Sequence, residues 1–414
     1  MKKYAMSILG CKVNDYEATY VKENMNKYYE EVSFKDIADI YIIFTCCVTN
    51  AAEAKTRKFI HDARRNNPNS FICAVGCLCQ TKNNDEVFDD VDLIVGSDHK
   101  KDIADLINLH EKNNIVKDKI DTAFEELYIN SYPGKSRSFL KIQDGCNQFC
   151  TYCIIPYSRG RERSGNHVSL LQQAKVLSNT TNEIVLTGIH TGRYNDDGYK
   201  LYDLLRDLLK IEKLQTIRLS SIELTEINDE IIDLIKNDDR IAHHLHVPIQ
   251  SCSDIVLKHM NRPYSYEEFY NRICYIREQI PDISISTDLI VGFPYESDEE
   301  FNIVLRRLKE ISFNFIHVFP YSRKKGTKAD TFDNHIDPKV KKARVKQIIE
   351  LSKKIKKEMS NSYVGKKVKI LIENYDGEYS YGYSKQYVYC KLKGQYEIGD
   401  IIEIELKKEN IYET

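Results

Sequence analysis

Short apolar runs alternate with longer stretches of helical periodicity along the first three-quarters of this chain. Residues 4–9, 38–44, 71–75 and 91–95 are predicted strands, and 17–28 and 51–65 between them are predicted helices. Such alternation predicts a parallel α/β sheet. A polar stretch from 111 to 138, with Pro133-Gly134 near its end, reads as a linker. The alternation then resumes, with strands predicted at 139–143, 184–187, 216–220, 244–248, 283–291 and 315–320. Six strand–helix units suit an open, partial (β/α) barrel, whose chemistry sits at the carboxyl ends of the strands. Residues 338–359 read as a helix opened by proline, with Ile348, Leu351, Ile355 and Met359 on one face and lysines elsewhere. Short alternating runs follow at 368–372, 381–383, 387–391 and 401–406, punctuated by Gly365, Gly382, Gly394 and Gly399. This pattern predicts a small all-β barrel of the size that binds oligonucleotides.

A chain of 414 residues is too long for one ordinary core, so two or three domains are expected. The formal net charge of −2 excludes a protein that binds polyanions over its whole surface. Any nucleic-acid contact has to come from local basic patches, such as the lysine-rich helix or Arg159, Arg161 and Arg163. The tyrosines at 379, 381, 383, 387 and 389 alternate as one face of a strand would, and suit either base stacking or a ladder of their own. Twelve cysteines are too few for a disulfide scaffold at this length, which implies a reducing cytoplasm. The apolar run after Lys2-Lys3 is broken by Ser7 and Lys12 before it reaches signal-peptide length. No stretch approaches the ~20 apolar residues of a membrane helix, so no membrane partner is expected.

The cysteines change the picture most. Cys146, Cys150 and Cys153 follow the first predicted barrel strand, where a barrel places its active site. Three thiolates at this spacing reach three corners of a cubane iron–sulfur cluster and leave one iron open. A structural zinc site would want a fourth ligand at its own spacing, and His167 is poorly placed. A second set appears in the N-terminal region, where Cys11, Cys46 and Cys77 each follow a predicted strand. Residues just past successive parallel strands converge on one edge, so these three also make a candidate cluster site. Cys47 and Cys79 flank two of them and leave the ligand assignment open there. Cys73 lies within a strand, and Cys252, Cys274 and Cys390 have no partner at ligand spacing.

The segment from Leu140-Lys-Ile-Gln-Asp-Gly-Cys to Phe-Cys-Thr-Tyr-Cys-Ile-Ile-Pro-Tyr157 resembles the radical S-adenosylmethionine (SAM) enzymes. Leu9-Gly-Cys-Lys-Val-Asn14, Thr45-Cys-Cys-Val-Thr49 and Val75-Gly-Cys77 add a resemblance to the methylthiotransferases within them. So do Arg159-Gly-Arg-Glu-Arg-Ser164, His246-Val-Pro-Ile-Gln-Ser251 and Thr287-Asp-Leu-Ile-Val-Gly-Phe-Pro294. The resemblance spans nearly the whole chain. It implies an α/β protein with an N-terminal auxiliary-cluster domain over 1–112, a linker over 113–135, a partial (β/α)6 radical SAM barrel over 136–361 and a TRAM-like β-barrel over 362–414.

The implied cofactors are SAM and two [4Fe–4S] clusters, one on each cysteine triplet, with no catalytic side chain beyond the clusters. Gly188, Ser221, Gln250 and Asp288 are expected at the SAM, and Lys12, Asn14, Arg159 and Arg161 at the substrate. Gly-Cys-Lys-Val-Asn at 10–14 and Arg218-Leu-Ser-Ser-Ile-Glu223 resemble the branch that adds a methylthio group to C2 of threonylcarbamoyladenosine next to the tRNA anticodon. Other branches treat isopentenyladenosine in tRNA or a ribosomal-protein aspartate. A non-catalytic iron–sulfur protein for RNA binding or electron transfer is the more distant alternative. The implied partners are the tRNA anticodon loop, an electron donor such as flavodoxin or ferredoxin, and a sulfur source. The chain departs from the family pattern at Phe44, Cys47, Cys79 and Cys252.

Overall fold

The computed structural model describes residues 1–82, 86–109, 114–117, 120 and 123–412. They form two compact units. Unit 1 comprises Met1–Ile129, Lys141–Asn166 and Ser322–Asp330, and unit 2 comprises Asn130–Leu140, His167–Tyr321 and Thr331–Thr414.

Unit 1 is built on a six-stranded sheet: β1 (Lys3–Ile8), β2 (Glu30–Val32), β3 (Ile40–Thr45), β4 (Phe71–Gly76), β5 (Leu93–Val95) and β6 (Asn114–Val116). The spatial order is β2-β1-β3-β4-β5-β6, with every pair parallel. The helices α1 (Lys12–Met25), α2 (Asn50–Asn66), α3 (Cys77–Thr81) and α4 (Ile103–Asn108) make the crossovers. Central strands of such a sheet are apolar on both faces, and every residue of Ile-Tyr-Ile-Ile-Phe-Thr in β3 is buried. Ile40, Ile42 and Phe44 enter one core with Val21 and Met25 of α1, while Tyr41 and Ile43 enter the other with Ile60 and Ala63 of α2. The edge strands β2 and β6 carry too little apolar pattern to be predicted, because an edge strand needs only one neighbour and tolerates short, polar sequence. β6 lies inside the stretch expected to be linker, of which residues 113, 118–119 and 121–122 lie outside the described residues. The late segment Ser322–Asp330 also belongs to this unit, and Ala329 N donates to Thr151 O over 2.8 Å.

The six barrel strands, in unit 2 but for Lys141, occur in the expected order: Arg137–Lys141, Glu183–Thr187, Thr216–Leu219, His244–His246, Ser284–Val291 and Phe315–Pro320. They make two three-stranded sheets, joined by the parallel bridges Ile217–Ile241 and Ser221–His246. Leu245, Ile285, Leu289 and Ile316 are buried, and the intervening His246, Ser286, Asp288 and His317 share the opposite, polar face. The helix Pro338–Asn361 buries Ile348 and Ile355. The last element is a four-stranded antiparallel sheet, ordered Tyr389–Lys393, Tyr379–Ser384, Lys367–Tyr375 and Ile401–Glu405. The strand Tyr389–Lys393 starts two residues later than predicted, because Tyr387 takes a left-handed turn conformation with φ 63°. The sheet's tyrosines form a ladder, with Tyr383 4.4 Å from Tyr387 and 4.6 Å from Tyr389 between ring centroids.

Candidate functional site

The parallel topology of unit 1 brings Cys11, Cys46 and Cys77 to one sheet edge. Cys11 caps α1 just past β1, Cys46 follows β3, and Cys77 opens α3 directly after β4. Asn14 laces the first two corners together, since its Nδ2 donates to Leu9 O over 2.6 Å and to Thr45 O over 3.0 Å. Thr45 joins the third corner, with Oγ1 donating to Val75 O over 2.8 Å and accepting from Leu78 N over 3.2 Å. The three thiols lie close enough for charge on one to disfavour charge on the others. Burial pushes the Cys46 thiol up to about 11. Cys77 is shifted down, by a hydrogen bond from Cys47 and by the Arg159 guanidinium, against the effect of its burial. All twelve cysteines are free, so this corner offers three reduced sulfur donors. Soft thiolates suit an iron–sulfur cluster. Cys47 is buried against Cys77, and Cys79 Sγ is 3.7 Å from Thr45 Oγ1.

Cys146, Cys150 and Cys153 lie half-exposed on one loop of the same unit. Cys146 N donates to Gly160 O over 3.1 Å and Cys153 N to Cys150 O over 2.9 Å, which fixes both ends of the loop. Gly145, with φ +71°, permits this turn, and a Cβ there would stand 1.9 Å from Arg161 O. Phe149 and Tyr157 meet edge to face, and the Arg161 guanidinium lies 4.5 Å from the Phe149 ring centre. Three accessible thiols on one constrained loop again fit a cluster with one open iron.

Beneath these sulfurs is a buried ion network that sequence reading missed. Glu17, Lys141, Asp144 and Arg159 are all about 1 % exposed or less. Arg159 grips Glu17 with both terminal nitrogens, over 2.8 and 3.0 Å, and reaches Asp144 over 3.2 Å. Lys141 Nζ lies 2.7 Å from both Glu17 and Asp144. Arg163 is 3.0 Å from Asp98, and Lys100 is 3.7 Å from Glu17. Burial alone would raise the Glu17 carboxyl, but Arg159, Lys100 and Lys141 outweigh it and hold the group at about 2. Asp144 is likewise held far below the usual carboxylate range by Lys141, Arg159 and Arg163, against its burial. The available sequence signal was faint: Lys141 and Asp144 interrupt an apolar strand pattern, and Glu17 shares the helix face of Val13 and Val21.

Asn14 and Arg159, expected beside the substrate, are placed inside unit 1 instead. They bond to each other, with Arg159 Nη2 donating to Asn14 Oδ1 over 2.7 Å, and neither offers surface to a polyanion. Lys12 is exposed in the first turn of α1, and Arg161 is exposed beside the cysteine loop. In unit 2, Gly188, Ser221 and Gln250 lie just beyond strand carboxyl ends, whereas Asp288, expected at a strand end, sits in the middle of Ser284–Val291 because pairing with Phe315–Pro320 extends that strand three residues further. Gln250 N donates to Asp288 O over 2.9 Å, and Ser221 bridges to His246. His246 Nε2 is 3.2 Å from Asp288 and its Nδ1 is 2.8 Å from Ser286 Oγ. Gln250 itself has φ 66°, a conformation that side chains rarely take and that clusters at functional sites.

Residues 140–308 match the sequence model of the radical SAM superfamily, and residues 3–96 match uncharacterized protein family UPF0004. Over 99 % of this chain and 94 % of the relative, the sequence is 37 % identical to the threonylcarbamoyladenosine tRNA methylthiotransferase MtaB of Bacillus subtilis. It is 36 % identical to the Aquifex aeolicus protein of the same name, over 97 % of this chain and 99 % of that one. A tRNA-2-methylthio-N(6)-dimethylallyladenosine synthase of Thermodesulfovibrio yellowstonii is 32 % identical over 96 % and 94 %. Among solved structures, the fold is similar to the radical SAM methyltransferase TsrM of Kitasatospora setae, with TM-score 0.55 and 11 % identity over 77 % of this chain and 73 % of that one.

Proposed function

Because this chain belongs to the radical SAM methylthiotransferase family, we propose that it adds a methylthio group to C2 of N6-threonylcarbamoyladenosine beside the tRNA anticodon. The family's cofactors are SAM and two [4Fe–4S] clusters. When bound, these supply an electron that cleaves SAM to a carbon radical able to take an unactivated C2 hydrogen, together with the sulfur to be transferred. The observation that carries the reading is the pair of cysteine triplets, each offering three free thiols.

Cys146, Cys150 and Cys153 hold the SAM-binding cluster in this reading, and Cys11, Cys46 and Cys77 hold the auxiliary one. Gly188, Ser221 and Gln250 contact SAM at the barrel's carboxyl rim, where this fold class binds ligands, and Asp288 contacts it from the polar face of its strand. Their chemistry is orientation: backbone and side-chain dipoles fix the cofactor so that the abstracted hydrogen is the only one within reach. Lys12 and Arg161 are the exposed cations beside the two triplets and meet tRNA phosphates. Asn14 and Arg159 act indirectly, by holding the cluster corners.

No helix among the described residues is long and apolar enough to cross a membrane, and we place the protein in the cytoplasm with its tRNA. A flavodoxin- or ferredoxin-class donor supplies electrons, and a separate sulfur source reloads the auxiliary site. Nucleoside mass spectrometry of tRNA from a deletion strain tests the substrate. Loss of 2-methylthio-threonylcarbamoyladenosine, restored by the gene, is the expected result, and loss of the isopentenyl derivative in its place refutes it.

A further inference from the structure

Arg159 bonds both to a sulfur of the auxiliary triplet and to the strand that leads into the other triplet. Its Nε donates to Cys77 Sγ over 3.2 Å. Its terminal nitrogens hold Asp144, two residues before Cys146, and Asn14 and Glu17, three and six residues after Cys11. The side chain has no exposed surface, so no water competes for the N–H directed at sulfur. We propose that Arg159 is a positioning residue for the auxiliary cluster, donating a hydrogen bond to the Cys77 sulfur and thereby setting the cluster's reduction potential. The inference rests on the two-cluster reading above.

The physical argument runs through electron density at the ligand. A hydrogen bond to a cysteine sulfur withdraws density from the iron it binds, and cluster potentials respond to such bonds, to net charge and to solvent exposure. A buried guanidinium supplies both the bond and a positive charge, and both favour the reduced cluster. Removing it shifts the potential to more negative values. Arginine suits the role because its planar fork satisfies Glu17, Asn14 and Asp144 from one edge and leaves Nε–H for sulfur. Lysine carries the charge without that fork, so an R159K protein separates the two contributions.

The test uses full-length protein reconstituted with iron and sulfide, in a C146A/C150A/C153A background so that only the auxiliary cluster reports. R159K, and R159Q paired with E17Q to keep the buried charge balanced, are compared with the parent by EPR-monitored redox titration and by iron content. The expected result is unchanged iron with a midpoint shifted negative in both R159K and R159Q/E17Q, because each loses the Nε–H bond to sulfur while the net buried charge is kept. An unchanged midpoint in a protein that still loads its cluster overturns the inference. A second measurement needs no substitution at 159: pulsed EPR of the reduced parent, grown with 15N-guanidino arginine, is expected to show a nitrogen coupling to the cluster, and its absence overturns the inference equally. If the parent binds no cluster at all, the two-cluster reading itself fails. That outcome is distinct from a loaded cluster indifferent to Arg159.

Discussion

Glu17 is the member of the buried network whose removal has the clearest consequence. Replacing it with glutamine keeps its size and deletes a carboxylate that two nitrogens of Arg159 and the ammonium of Lys141 approach within 3.0 Å. The group is fully buried, and its surroundings lower its pKa from 4.5 to about 2. A depression of this size stabilises the fold by about 3 kcal/mol at pH 7. This agrees with the 3–5 kcal/mol typical of breaking a buried pair from one side. Because the folded-state pKa is depressed, the contribution is fully present above about pH 4.5 and is lost as pH falls toward 2. At pH 3 roughly half of it remains by the same linkage. Urea unfolding of wild type and E17Q, followed by circular dichroism at both pH values, reads these differences directly. E17Q is expected to lose about 3 kcal/mol at pH 7, with the gap roughly halved at pH 3. A gap below 1 kcal/mol at pH 7, or one independent of pH, refutes the electrostatic account. Adding K141M to E17Q rebalances the network, so the double variant is expected to lose less than the sum of the two single losses.

Substituting Cys146, Cys150 or Cys153 by alanine is expected to abolish SAM cleavage while leaving about four of about eight irons per chain; iron assay and product chromatography check both. Gly145→Ala places a methyl group 1.9 Å from a backbone oxygen in a turn of positive φ, so the same iron assay is expected to show loss of that one cluster with the auxiliary cluster retained. In unit 2, Arg218 pairs with Glu183 over 3.0 Å and donates to Lys385 O and Ser384 O over 3.2 and 3.3 Å. Arg218→Ala leaves Glu183 buried with less compensation and is expected to cost about 3 kcal/mol, read as faster amide exchange across Tyr379–Lys393; unchanged exchange would count against this linkage.

The element order of this protein was present in its sequence because hydrophobic periodicity and strand length are local properties. Runs such as 40–45 and 71–76 must be buried on both faces whatever surrounds them, and a cysteine placed after each strand inherits its position from parallel topology. The edge strands Glu30–Val32 and Asn114–Val116 were illegible because pairing with one neighbour leaves no apolar signature. The buried network was illegible for a different reason. Glu17, Lys100, Lys141, Asp144 and Arg159 are scattered over more than 140 positions and look like ordinary surface charges one at a time. A charge can be buried only where opposite charges meet it, and that meeting exists only once α1, the Lys141–Asp144 segment and the helix ending at Arg159 have packed together. Sequence alone set one cysteine just past each of three successive parallel strands and three more within one short segment. Tertiary structure decided that Arg159, which reads as a residue for phosphate, faces one of those sulfurs instead.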